Sequence, residues 1–370
     1  MKATRNLIIL VCLLSLLFLS SCQMKRQVET SHKEAGNSSS EDIQYEIINA
    51  ENNKGDIDKI IEKFTGDTLE EAVKNGAVFE KSYGEDSVTY EKGTKSFSYT
   101  GKSREGLGPV ITYKDQYEMA GEQYETLLSF MTSSLKYNLI GTNIRKQLPD
   151  ESLDNCTKEE VINYCNPYAE LLGYSPDNSL TEVYALTAGK IKDESITCYG
   201  PLKGINNKKA LSSDELHRVE EKYPWTKEYE ALYVVYKPYT NGLLFDSSYC
   251  CLQMVYVPVY GKIVYLFGEM PWTVKEKSIP DKLISKEDAI AEAMLLSNTA
   301  NKDNIKIEDV TMVYSQNIVH LRENNGLDLC WRVDFKVENS AMYQDAMAYQ
   351  SVLVNAVTGE ECVMWPGLND

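Results

Sequence analysis

A helix start occurs twice in this chain, each time ahead of a run of alternating apolar and polar segments. No other feature limits the possible folds as much. The first copy reads Thr157-Lys158-Glu159-Glu160-Val161-Ile162 and the second Ser285-Lys286-Glu287-Asp288-Ala289-Ile290. In each, a hydroxyl residue stands at the N-cap position and an acid three residues on can close a capping box. The first helix is expected to end near Gly173 and the second around 298–301. Strand-like segments follow at 180–186, 230–236, 252–259 and 263–267 in the first copy. In the second they fall at 310–314, 327–337, 349–357 and 361–365. The copies close on Pro271-Trp272 and Trp365-Pro366. A helix followed by an antiparallel meander is the shared plan.

The strands keep a period of two. Leu327, Leu329, Trp331, Val333, Phe335 and Val337 share one face, and Asp328, Arg332, Asp334 and Lys336 share the other. One face should pack on the helix and the other should meet water. Thr358-Gly359 reads as a tight hairpin turn. Ahead of the first copy, 57–64 has helical spacing. Thr68 with Glu71 forms a capping box for a second short helix ending at Gly76. The segments 87–91 and 95–99 around Lys92-Gly93 read as a hairpin. Tyr124, Leu127, Leu128, Met131 and Leu135 give a helix-like face within 122–139. The expected fold class is therefore α+β. A mixed α/β N-terminal region, 45–150, precedes two tandem helix-plus-meander modules, 151–277 and 278–370, with a linker at 275–282.

The N-terminus places this chain. Lys2 and Arg5 precede an apolar run from Leu7 to Leu19, which has the length of a signal-peptide core. Leu19-Ser20-Ser21-Cys22 then resembles the bacterial lipoprotein signal. The resemblance implies cleavage between Ser21 and Cys22 and acylation of Cys22, so that 1–21 is the signal peptide. Acyl chains gain about 0.8 kcal/mol per buried methylene, and several together hold a protein on a membrane. Residues 22–44 are rich in Ser, Glu, Lys and Asn and lack apolar periodicity, which reads as a flexible tether. The remainder is expected on the extracytoplasmic face of the bacterial cell membrane.

Formal net charge is −17. A nucleic-acid partner would demand a basic footprint, so that class is excluded. Lying flat on anionic lipid is disfavoured for the same reason. Beyond Cys12 and Cys22 the chain holds Cys156, Cys165, Cys198, Cys250, Cys251, Cys330 and Cys362. An odd number cannot all pair within one chain, and neighbouring Cys250 and Cys251 are poorly placed for an ordinary bridge. Mostly free thiols are expected.

Ser285-Lys-Glu-Asp-Ala-Ile, Leu329-Cys-Trp-Arg-Val and Val354-Asn-Ala-Val-Thr-Gly-Glu together resemble the PepSY-like domains of secreted bacterial proteins. The two-copy layout is similar to the extracytoplasmic regulators of sensor kinases of the YycH and YycI type, and the whole chain looks like clostridial lipoproteins. Asn355 stands where the family more often has aspartate, and the first copy lacks the Thr-Gly-Glu turn. The resemblance implies a fold and a binding or inhibitory role, with no catalytic residue, cofactor or metal carried over.

Patterns that would support catalysis are sparse. His32, His217 and His320 have no His or Cys at ligand spacing. Gly106-Leu-Gly108-Pro is too short for a dinucleotide loop. Cys250-Cys251 could form a redox pair, but a buried strand thiol accounts for it more simply. Tyrosine is abundant, 25 in all, and Tyr223, Tyr229, Tyr233, Tyr236, Tyr239, Tyr249, Tyr256, Tyr260 and Tyr265 cluster. Such a group suits a binding face, and it equally reflects strand propensity. The expected function is non-catalytic binding of an envelope protein, such as a sensor-kinase ectodomain or a protease. A secreted hydrolase using scattered carboxylates and a cell-wall glycan binder using the tyrosines are the alternatives.

Overall fold

Among the described residues, backbone hydrogen bonds sort the strands into two antiparallel sheets, and four α-helices accompany them. The computed structural model describes residues 45–52, 55–82, 85–101, 109–115, 152–189, 227–245, 251–297, 305–316, 326–337 and 349–362. In chain order the elements begin with β1 (Ile47–Asn52), α1 (Ile57–Thr65), α2 (Leu69–Lys74), β2 (Val78–Ser82), β3 (Glu85–Lys92), β4 (Lys95–Thr100) and β5 (Val110–Asp115). Next come α3 (Lys158–Leu171), β6 (Ser179–Leu186), β7 (Ala231–Thr240), β8 (Leu243–Leu244), β9 (Leu252–Val257), β10 (Lys262–Glu269) and β11 (Trp272–Ser278). The last are α4 (Lys286–Leu296), β12 (Ile305–Gln316), β13 (Gly326–Val337) and β14 (Tyr349–Asn355). The helix expected in 122–139 and the strand at 361–365 beyond Cys362 lie outside the described residues.

The helices start where their caps dictate. The Thr68 and Thr157 side chains accept from the backbone N–H groups of Glu71 and Glu160, whose carboxylates accept from the cap N–H groups at 2.9 and 2.8 Å. Each box satisfies two of the four amide groups that a helix start leaves without a partner. Ser285 accepts from the Asp288 N–H at 3.0 Å, and its own hydroxyl donates to the Asp288 carboxylate at 2.8 Å.

The larger sheet has nine strands in the order β2-β3-β4-β5-β10-β9-β7-β6, with β8 beside β7. One face carries α1 and α3. Ile60, Ile61 and Phe64 of α1 and Val161, Cys165 and Ala169 of α3 share a core with Val88, Tyr90, Phe97, Ile111, Leu232, Val234 and Met254. Strand β7, next to the end strand β6, is buried on both faces, because Ala231, Tyr233 and Val235 are as closed off as Leu232, Val234 and Tyr236. Close approach is enforced at Gly268, where a Cβ would lie 2.5 Å from the Cys251 carbonyl oxygen.

The smaller sheet runs β11-β1-β13-β12, with β14 also paired to β13. β1 pairs β11 along its length and meets the start of β13 at Ile48 and Asn49. Ala289 and Ala293 of α4 pack on Val333, Phe335 and Val354. The turn after β14 is held by Asn355, whose carboxamide oxygen accepts from the Val357 and Thr358 N–H groups at 2.8 and 2.9 Å, while Gly359 takes φ 79°.

Two expectations are corrected. The segment 275–282 is not a free linker, because its first part is β11, hydrogen-bonded to β1. The polar face of β13 meets water only in part, through Asp328 and Arg332. Cys330 and Asp334 on that face are buried at 0% and 3% exposure. Asp334 tolerates this because Arg332 lies 3.0 Å from its carboxylate and the Ser351 hydroxyl donates to it at 2.5 Å. A charge can leave water when paired in this way. The sheets also cross the expected boundaries. β5, from 45–150, pairs β10, from 151–277, and β1 joins the sheet of the last segment. From Glu46 onwards the described chain forms one unit.

The two sheets meet at Glu46. Its backbone carbonyl accepts from the Tyr314 hydroxyl at 2.8 Å. Its carboxylate pairs with Lys277 at 3.0 Å and accepts from the Asn241 amide. Lys277 also donates to Asn241 at 2.7 Å. Phe245, just after β8, packs against Tyr314 with ring centroids 5.8 Å apart.

Candidate functional site

The end of α3 and strands β6 and β7 enclose a solvent-open depression of about 200 Å³, lined by Asn166, Glu170, Tyr174, Thr181 and Tyr236 among others. It is a shallow dent with room for about one water molecule, far short of the ~300–1,000 Å³ usual for ligand clefts. Its phenols are already committed. Tyr236 donates to the Asn166 carboxamide oxygen at 3.0 Å and Tyr174 to the Glu269 carbonyl at 2.5 Å. Burial pushes the Tyr236 hydroxyl well above the ordinary phenol range. The arrangement holds α3 against the sheet and presents no activated group.

The carboxylates whose contacts are described serve as clamps. Asp67 accepts from the Tyr90 hydroxyl, from Lys92 at 3.0 Å and from Asn75 at 2.9 Å, which joins the α1–α2 turn to β3. The Tyr90 hydrogen bond, then Lys92, hold the Asp67 carboxyl below its usual value. Burial, then the Asp67 carboxylate, push Tyr90 up to about 12. Asp115 accepts from Thr94 at 2.9 Å and lies 3.7 Å from Lys262. Glu182 pairs with Lys237 at 2.6 Å. Each is engaged by a lysine, hydroxyl or amide partner: Asp67 from the α1–α2 turn, Asp115 at the end of β5 and Glu182 within β6.

The tyrosine cluster divides between core and margin. Tyr233, Tyr236 and Tyr265 are buried at 0%, 3% and 7% exposure. Tyr239, Tyr256 and Tyr260 are half-buried. Tyr223, Tyr249 and the Tyr229 side chain lie outside the described residues. A separate aromatic group does form where α3 crosses the sheet. Tyr164 lies 4.7 Å from Tyr256 and 6.0 Å from Tyr168, ring centre to ring centre, and Lys63 sits 4.4 Å over Tyr168. The i, i+4 spacing of Tyr164 and Tyr168 could have signalled it.

Cys156, Cys165, Cys251, Cys330 and Cys362 are buried free thiols, in line with the expectation for those positions. Cys198, Cys250, the three histidines, Gly106, Gly108, Ser21 and Cys22 lie outside the described residues. Among the described residues, none form a His/Cys/Asp/Glu group able to hold a metal ion. No helix among them is long and apolar enough to cross a membrane.

The surface feature the sequence reading missed is β2, at one end of the large sheet. Val78 and Phe79 are 53% and 45% exposed, and Val73 on the preceding helix is 51% exposed. The opposite end strand, β6, shows one exposed apolar residue, Leu180, above four buried ones. The usable signal was local. Val-Phe follows Gly76 within three residues, a short strand after a helix stop.

No protein-family model matches the sequence, and no curated protein matches it. Among solved structures, the chain is similar to that of an uncharacterized protein from Eubacterium rectale ATCC 33656. The TM-score is 0.49 and the identity 11%, over 86% of this chain and 85% of that one.

Proposed function

We propose that this chain is a lipid-anchored, extracytoplasmic binding protein that engages an envelope protein without catalysing a reaction. The observation that carries the reading is the order of features at the N-terminus: Lys2 and Arg5, an apolar run, then Leu19-Ser20-Ser21-Cys22 and a polar segment. In this reading Cys22 holds the acyl chains, and the polar segment after it ties them to the rest of the chain. A partner in the same membrane then meets the folded part at a raised effective concentration. The helix-and-sheet unit from Ser285 to Glu361 supports kinship with PepSY-like domains, whose role is binding or inhibition. Its helix start, its Trp331 strand and its Asn355 turn all serve structure. The partner is a protein of the envelope, of the kind of a sensor-kinase ectodomain or a protease. The clamped carboxylates fit this reading better than hydrolysis.

The anchor is tested by metabolic labelling with an alkyne fatty acid. The wild type should be labelled at Cys22 and pellet with membranes, while Cys22→Ala should be unlabelled and keep its leader. Acylation of the variant, or cleavage ahead of residue 22 in it, would remove the lipoprotein reading.

A further inference from the structure

We propose that the open edge of β2 docks an extended, cationic segment of the partner, which joins the nine-stranded sheet as its next strand; this rests on the binding role proposed above. β2 pairs with β3 alone among the described residues. Side chains alternate between faces along a strand, so Val78 and Phe79 lie on opposite sides of the sheet. Phe79 stands across from Val88, which is buried in the core, and Val78 across from exposed Thr89. Each is about half exposed, so the cover that closes β3 on its core side stops short of β2. Natural sheets ordinarily guard such an edge with charge, proline, a bulge or a covering loop. An edge that keeps apolar side chains on both faces is the arrangement that peptide strand addition uses.

Charge selects the occupant. From Leu69 to Glu91 there are six acids and two lysines. One of the lysines, Lys74, is paired with Glu70 at 2.7 Å. Glu80, Asp86 and Glu91 are exposed on β2 and β3. A second copy of this chain would bring the same acids to the same edge, in a protein of net charge −17. Two chains of net charge −17 repel one another, so self-pairing is the poorer fit. A strand that alternates Lys or Arg with apolar residues satisfies both the side chains and the field.

The probe is the capped peptide Lys-Val-Lys-Val-Lys-Val-Lys, titrated into the mature chain bearing Cys22→Ser. Its control carries proline in place of the central valine, with the same charge and a broken strand. The alternating peptide should bind and protect the amides of 78–82 from hydrogen exchange, and the proline peptide should bind about tenfold more weakly. Phe79→Glu adds attraction for a cation yet removes an anchor, so it should weaken binding by about tenfold. Val78→Glu, on the other face, guards against a fold defect particular to position 79. Equal binding of the two peptides, tighter binding by Phe79→Glu with Val78→Glu, or protection elsewhere would overturn the edge site. If the edge fails while a partner is still captured in cells, the binding role stands without it. Peptide binding as expected with no partner in cells upholds the edge and counts against the role.

Discussion

At the scale of single residues, Trp331 shows how one side chain can be read and still need a structure. The period of β13 placed it on the α4 side, and it packs there against the Ala289–Ala293 stripe. It is only half-buried, and its indole N–H donates to the Ile284 carbonyl at 3.2 Å. Trp331→Phe should cost about 1 kcal/mol for the lost hydrogen bond, measured by urea unfolding. Trp331→Ala should cost about 3 kcal/mol, the lower end of the range for large aromatic side chains in cores. Equal costs would show that packing at this site is negligible. Cys251 gives a pH test. Burial pushes its thiol up to about 11, so the folded state favours the neutral form. That contribution is intact below the ordinary thiol value of about 8.5 and is lost as pH rises towards the folded value. The difference in Tm between wild type and Cys251→Ala should therefore narrow between pH 8 and pH 10.5. A constant difference would place the thiol in water.

At the scale of elements, what could be read locally was read, and what depends on distant partners was not. Thr68, Thr157 and Ser285 announced their helices because a cap and its acid lie three residues apart. The β3–β4 hairpin was legible for the same reason, since Lys92-Gly93 joins the two strands directly. β1 and β5 left no comparable mark. β1 matters as a strand because of β11 and β13, more than 200 residues downstream, while β5 lies between nearby β4 and distant β10. The Arg332–Asp334 pair misled for a related reason. Alternating charge reads as a wet face until a partner on the neighbouring strand accounts for it. Of the candidate sites, β2 left a local mark in Val78-Phe79 after Gly76, whereas its place at the end of the sheet emerges only when its neighbours are known. The placement of β1 predicts that a chain beginning at Gly55 will lose the smaller sheet. Its hydrogen-exchange protection should drop at β11 and at the start of β13, while β7 and β9 stay protected. The piece from Ser278 to Asp370 lacks both β1 and β11, and it should show an incomplete strand signal in far-ultraviolet dichroism. A cooperative, fully native spectrum from that piece would show that β1 is dispensable.

At the scale of the whole molecule, the architecture is a wide antiparallel sheet with helices on one face, joined at Glu46 to a smaller sheet. Large sheets with an open end are suited to holding another chain. Gathering reactive groups in a dry pocket is a different task, and the carboxylates and phenols described above are engaged in structural contacts. The measurement that tests this most directly is crosslinking on intact cells, with capture of the chain and identification of what is attached. The account predicts a reproducible adduct with one envelope protein, lost in Cys22→Ala, and no turnover by the purified chain in a broad peptide, ester and glycoside screen. Turnover abolished by a single acidic substitution, with no adduct captured, would contradict it.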